Sequence, residues 1–156
     1  MIELRPPRPA DAPGIWRLAP TQGPDRDSPY AFVLLCTHFA DTGVVASLDG
    51  AIVGYALGYR PPAYPRDMFV WQFGTAIGAP EDLGVRLLEE LLTRPACAEV
   101  RFLCMTRGPR DLPLRDLLAA VSRRCGVGLR EEPCFSHTLF ARPHADEVLC
   151  RVGPLR

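Results

Sequence analysis

A chain of 156 residues is long enough for one hydrophobic core and short for two, so a single domain spanning 1–156 is expected. Hydrophobic residues at 47% and charged residues at 23% exclude a disordered chain. Lys+Arg 18 against Asp+Glu 18 leaves no basic surplus, which argues against nucleic acid as a partner. No apolar run approaches the ~20 residues that cross a bilayer, so no membrane partner is expected. The opening MIELRPPRPADAP is charged and proline-broken, so a signal peptide is not expected and a cytoplasmic location is.

Ile2–Arg5 alternates before a proline run and predicts a short strand. Asp11 can cap a helix over Ala12–Ala19, with Pro13 near its first turn. Thr21–Asp27 is polar and turn-like. Ser28-Pro29 sets a hydroxyl N-cap before a proline at the first helical position, which predicts a helix to about Phe39. Val44–Leu48 and Ala51–Arg60 flank Asp49-Gly50, the dipeptide of a two-residue hairpin turn. Met68–Ala76 reads as an apolar, aromatic strand with a bulge at Gly74.

Leu83–Thr93 carries apolar residues at 83, 87, 88, 91 and 92, one face of a helix. Glu99–Met105 predicts a strand, Leu112–Cys125 an arginine-faced amphipathic helix, and Arg130–Phe140 with Glu147–Val152 a strand, loop and strand. An antiparallel meander that turns into β-α-β-α is a mixed, mostly antiparallel α/β sheet with helices on both faces.

The chain has no lysine, which excludes Schiff-base chemistry and a phosphate-loop lysine, and no asparagine. Its six cysteines contain no Cys-x-x-Cys pair and read as reduced, mostly buried thiols. Cys134 and His137 have a Cys-x-x-His spacing and His144 follows, but a fourth zinc ligand is not evident in the sequence, so no metal is expected.

The element order is that of the GNAT N-acetyltransferase fold. The words DSPYAFVLLCTHFADTGVVA, DGAIVGYALGYRPP, MFVWQ and the tail HADEVLCRVGPL resemble the L-2,4-diaminobutyrate N-acetyltransferases of ectoine biosynthesis. The resemblance is dense from Leu4 to Gln72 and returns from Cys134 to Leu155. It implies a sheet splayed between the strand carrying Trp71 and the strand Glu99–Met105. It also implies acetyl-CoA as co-substrate, a small amino acid as acceptor, a role in osmoadaptation and a homodimer.

The resemblance places substrate contacts at Asp25, Asp27, Tyr30 and Trp71, where carboxylates and an aromatic face suit a dicationic amino acid. Asp27 stands where the family usually has Asn. It places the catalytic base at Glu147, at His144 or at a water chain they hold. Backbone N–H groups around Phe73, Gly74 and Thr75 would meet the oxyanion, and the helix start at Leu83 and Gly84 the coenzyme pyrophosphate. Taken without the resemblance, Trp71 is a core residue, Tyr30 a helix staple, Asp25 a turn residue, and His144 and Glu147 parts of a solvated loop.

Two segments depart from the family. Ala79-Pro80-Glu81-Asp82 stands where the family has a basic, glycine-rich turn, and Met105–Arg110 replaces a Thr-Pro-Ser-Asn-like segment. Arg107 and Arg110 could supply phosphate contacts there. Many GNAT enzymes protonate the leaving thiolate with a tyrosine on the late helix; Tyr30, Tyr55, Tyr59 and Tyr64 all lie in the first half, so solvent is the expected donor. The departures leave open a catalytically silent relative that still binds diaminobutyrate or a similar cationic amino acid, and an acetyltransferase for another amine.

Overall fold

The computed structural model describes residues 1–20 and 27–156. Its strands form one sheet in the order β1-β2-β3-β4-β5-β7-β6, with β1 Glu3–Arg5, β2 Gly43–Leu48, β3 Ala51–Tyr59, β4 Asp67–Thr75, β5 Phe102–Arg107, β6 Gly128–Phe135 and β7 Glu147–Gly153. All pairings are antiparallel except β4 with β5. The helices are α1 Ala12–Leu18, α2 Pro29–Thr37, α3 Leu83–Thr93 and α4 Leu112–Cys125. The mixed, mostly antiparallel sheet with helices on both faces is therefore present.

The two faces of the sheet bury separate sets of side chains. Ile15 of α1, with Phe32 and Leu35 of α2, packs on Val45, Tyr55 and Leu57. On the other face Leu83, Leu87, Leu88 and Leu91 of α3 and Leu118 and Val121 of α4 meet Val44, Ala56, Met68, Leu103 and Val152. The 3.6-residue period of α3 thus points its leucines at one layer, each worth roughly 2 kcal/mol of burial.

The β2–β3 hairpin turns as its sequence demands: Asp49 at φ 52 and Gly50 at φ 82 are both left-handed. Five expectations need correction. Asp11 precedes α1 but does not cap it; its carboxylate takes the Arg5 guanidinium at 2.7 and 2.9 Å and the Arg8 amide at 2.7 Å. The second helix starts at Pro29 without a side-chain cap from Ser28 and stops at Thr37, before a 3-10 turn over Ala40–Thr42 in which Thr42 Oγ1 donates to Gly58 O at 2.6 Å.

The fifth strand begins at Phe102, not Glu99, because its parallel partner β4 begins only at Asp67 and Arg101 N is held by Arg66 O at 2.7 Å. The bulge in β4 lies at Trp71, not Gly74. The register steps from Leu57–Gln72 to Gly58–Val70, leaving Trp71 as the extra residue.

Gly74 has a different physical reason. A Cβ there would lie 2.7 Å from the Tyr55 hydroxyl, so the glycine makes room for the ring of the opposing residue. Gly58 answers the bulge in the same way, since a Cβ there would stand 1.9 Å from Phe69 O.

Candidate active site

Parallel pairing of β4 with β5 covers Asp67–Phe102, Met68–Leu103 and Phe69–Cys104 and goes no further. Beyond Phe69 the two strands part, and the edge of β4 from Val70 to Thr75 that faces away from β3 has no strand beside it. The resulting cleft, about 1120 Å³, runs from Pro20, Asp27 and Phe32 past Trp71 and Thr75 to Pro80, Gly84 and Leu117. The splay that the family resemblance implied is thus present, and it sets the cleft against exposed main-chain donors and acceptors.

One end of the cleft carries carboxylates and rings. Asp27, just before α2, accepts a hydrogen bond from Gln72 Nε2 on β4. Trp71, beside Gln72 in the chain, lines the cleft and is 45% exposed, an uncommon state for a tryptophan on a central strand. The bulge is what turns it out of the regular alternation. Tyr59 and Phe69 also line this end, their rings 5.7 Å apart, with Phe39 5.9 Å from Tyr59. Glu147, the first residue of β7, reaches the same cleft from the far strand pair.

His144 does not line the cleft. It stacks on Phe140, which does, at 3.7 Å between ring centroids, and its Nδ1 donates to Ala145 O at 2.6 Å. Tyr30, in the first turn of α2, is 69% exposed and off the cleft wall. Asp25 lies outside the described residues. Among the described residues no group of His, Cys, Asp and Glu is arranged to hold a metal ion. His137 Nδ1 instead meets Asp146 Oδ1 at 2.7 Å, while Asp146 also accepts the His137 amide at 2.6 Å; that backbone bond and the imidazole bond hold the Asp146 carboxyl below its ordinary range.

The other end is the start of α3. Gly78 takes a left-handed φ of 84, Ala79 N donates to Ala76 O at 3.1 Å, and Leu83 N to Pro80 O at 3.0 Å. Leu83 is fully buried, so neither its side chain nor its amide is offered to the cleft. The amides of Gly84 and Val85 belong to the first helical turn, where a helix supplies no acceptor of its own. Gly84 lines the cleft, and its lack of a side chain lets Phe73 and Leu117 close to 3.1 Å from where a Cβ would stand. Phe73 and Thr75 line the cleft, whereas Gly74 lies under Tyr55. Burial pushes the Tyr55 phenol up to about 12, which keeps it protonated and away from proton transfer.

The charges on the cleft wall are unequal. Asp27, Glu81, Asp111 and Glu147 line it, against Arg107. Arg107 is already committed to Glu131 at 2.8 Å and to the carbonyls of Gly108 and Pro109, so its donors are not directed at a phosphate as the sequence allowed. Its hydrogen bond to Glu131 holds that carboxyl below the usual range, against the opposing effect of burial. Asp111 caps α4 by accepting Leu114 N at 3.2 Å.

Gln72 escaped the sequence reading, although a signal existed: a primary amide inside an apolar strand run must find a polar partner. Arg107, a cation at the end of a buried strand, carried the same signal.

No family model matches the chain. It is 38% identical over 156 residues to the L-2,4-diaminobutyric acid acetyltransferase of Nocardia farcinica, covering 97% of this chain and 80% of that one. With the enzyme of the same name from Bordetella parapertussis it shares 39% over 155 residues, covering 97% and 83%. Among solved structures, the diaminobutyrate acetyltransferase EctA of Paenibacillus lautus, in complex with its substrate L-2,4-diaminobutyric acid and coenzyme A, superposes with a TM-score of 0.92 at 29% identity, covering 100% of this chain and 96% of that one. A GNAT-family acetyltransferase structure from Desulfovibrio desulfuricans, at 18% identity and a TM-score of 0.73, shares the fold. With these likenesses spanning nearly its whole length, the chain belongs to the L-2,4-diaminobutyric acid acetyltransferase family of GNAT proteins.

Proposed function

We propose that the protein transfers the acetyl group of acetyl-CoA to the 4-amino group of L-2,4-diaminobutyrate, giving N4-acetyl-L-2,4-diaminobutyrate for ectoine biosynthesis. The observation that carries this reading is the cleft itself. Its acidic, aromatic end suits a small cation, and the open edge of β4 with the first turn of α3 suits an acylated, phosphate-bearing donor. A volume of about 1120 Å³ is ample for both.

In this reading Trp71 and Asp27 receive the ammonium groups, with Gln72 fixing the Asp27 carboxylate. The family resemblance assigns Asp25 and Tyr30 to the same substrate, although Tyr30 stands off the cleft wall. An ammonium has no lone pair, so a base must take a proton before the nitrogen attacks the thioester carbon. Glu147 lines the cleft and holds that place directly or through water; His144, one residue layer behind Phe140, steadies the wall. As the C–N bond forms, negative charge builds on the acetyl oxygen, and it passes to the sulfur when the carbonyl re-forms and the C–S bond breaks. The N–H groups of the 73–75 stretch that face away from β3 meet the oxygen without reorganising. Helix α4 carries no tyrosine, so solvent returns the proton to the departing thiolate.

The coenzyme pyrophosphate is received by main-chain N–H groups at Gly84 and beyond and by the positive end of α3. Pro80, Glu81 and Asp82 supply no cation there, and the two carboxylates oppose the anion. The protein acts as one domain over 1–156, as a homodimer in the cytoplasm, in osmoadaptation. No helix among the described residues is long and apolar enough to cross a membrane.

The test is turnover. Purified protein with acetyl-CoA and diaminobutyrate should release free thiol, and NMR should place the acetyl group on N4. Diamino acids longer or shorter by one methylene should be at least ~10-fold poorer in kcat/KM. A protein that binds diaminobutyrate without releasing thiol is the silent relative, and one that prefers another amine by the same margin has a different acceptor.

A further inference from the structure

Arg107 ends β5 as a cation after an apolar run, and only 8% of it is exposed. Its Nη2 and Nε donate to the two oxygens of Glu131 on β6, at 2.8 and 3.2 Å, the fork geometry of a strong pair. Nη1 turns the other way, to the loop that follows, donating to Gly108 O at 3.0 Å and Pro109 O at 3.3 Å. Glu131 also meets Arg115 Nε on α4 at 3.5 Å. One carboxylate from a later strand therefore ties together the end of β5, the 108–111 loop and α4.

Arg107 is enclosed while Glu131 stays open to solvent, so the pair is a poor way to gain stability alone: the cost of burying the guanidinium offsets much of its attraction to a screened carboxylate. What the pair adds is shape. Without Arg107 the Pro109 carbonyl loses this donor and Gly108 O keeps only the Asp111 amide, at 3.1 Å, so the loop loses its tie to β5 and β6. Gly108 and Asp111, both in that loop, line the cleft. The loop shares the cleft with the α3 start, where, in the acetyl-CoA reading, Pro80 removes a donor and Glu81 and Asp82 repel an anion. More of the hold on the donor substrate thus falls on the 108–111 side.

We infer that Arg107, held by Glu131, is a positioning residue for acetyl-CoA: it fixes the 108–111 loop in the shape that receives the coenzyme and does not itself bind phosphate. The inference rests on the acetyl-CoA reading above and adds to it the residues that set the second wall.

The experiment compares Arg107→Met and Glu131→Gln with Arg5→Met, which breaks another two-pronged pair, Arg5–Asp11 at 2.7 and 2.9 Å, off the cleft. Each is measured for Tm, for coenzyme A affinity by calorimetric titration, and for the KM of each substrate. Arg107→Met and Glu131→Gln should weaken coenzyme A and raise the acetyl-CoA KM ~10-fold or more, with the diaminobutyrate KM within ~2-fold. Arg5→Met should lower Tm comparably and leave coenzyme affinity unchanged.

Unchanged coenzyme affinity in either folded cleft variant overturns the inference, and so does a parallel rise of both KM values. Should Arg107→Met not fold, Glu131→Gln, which keeps the volume and an acceptor, decides alone. The calorimetric arm needs no turnover: a wild type that binds coenzyme A yet leaves diaminobutyrate unacetylated defeats the functional reading only, and one that binds no coenzyme A defeats both.

Discussion

The two ends of the cleft are built from different parts of the polypeptide. At the end proposed for the acceptor the chemistry is in side chains brought from afar: Asp27 meets Gln72 across 45 residues, and Glu147 arrives from β7. At the end proposed for the coenzyme it is in the main chain, from a turn at Gly78, the first amides of α3 and the edge that β4 exposes where β5 leaves it. A side-chain site is lost with its residues, whereas a main-chain site survives most substitutions. That difference fits a chain whose family resemblance includes Trp71 and Glu147 while 79–82 reads Ala-Pro-Glu-Asp. A helix start still presents N–H groups whatever side chains flank it.

The comparison breaks most sharply at Glu147. Glu147→Gln should lower kcat by ~100-fold or more if it is the base, whereas His144→Ala, behind the Phe140 ring, should cost under ~10-fold. A pH–rate series on both variants checks the order; equal losses would move His144 into the proton path. Gly58→Ala comes next, since its Cβ would collide with Phe69 O at 1.9 Å and the bulge that turns out Trp71 could not close. It should cost about 2–4 kcal/mol in denaturant unfolding, with any surviving activity showing a raised diaminobutyrate KM.

At the coenzyme end the effects should be smaller and electrostatic. Replacing Glu81-Asp82 by Gln-Gly should tighten acetyl-CoA several-fold, since ~1.4 kcal/mol is tenfold and exposed charges are worth less. Wild-type affinity should improve with added salt and the variant's should not. An unchanged constant in both would place the pyrophosphate elsewhere.

The smallest effect lies outside both ends. The side-chain hydrogen bond from Arg5 holds the Asp11 carboxyl below its usual value, with burial opposing. A carboxyl depressed in the folded state stabilises above its unfolded value of about 4 and ceases to as pH falls through the folded one. The stability gap between wild type and Arg5→Met should therefore be full above about pH 5 and close as the pH falls below the ordinary carboxylate range. A gap independent of pH would mean the pair contributes only packing.

Much of this was legible in the chain itself. The leucine period of 83–93, the Asp49-Gly50 turn and the Ser28-Pro29 start are local, each set by a few neighbouring residues, and each element stands where its signal put it. Of the substrate and catalytic residues that the resemblance named, Asp27, Trp71 and Glu147 line one cleft, Tyr30 and His144 do not, and Asp25 lies outside the described residues. What tertiary structure decided is what depends on a partner distant in sequence. The bulge fell at Trp71 because Gly58, on the neighbouring strand, lets the backbones approach there, while Gly74 was taken by Tyr55. The start of β5 was set by where β4 begins, Asp11 was drawn from capping by Arg5, and Arg107 from phosphate by Glu131. Periodicity and capping fix local geometry, since they act over a single turn of chain. Register, ion-pair choice and the opening between β4 and β5 are settled only when strands far apart in sequence compete for the same hydrogen bonds and charges.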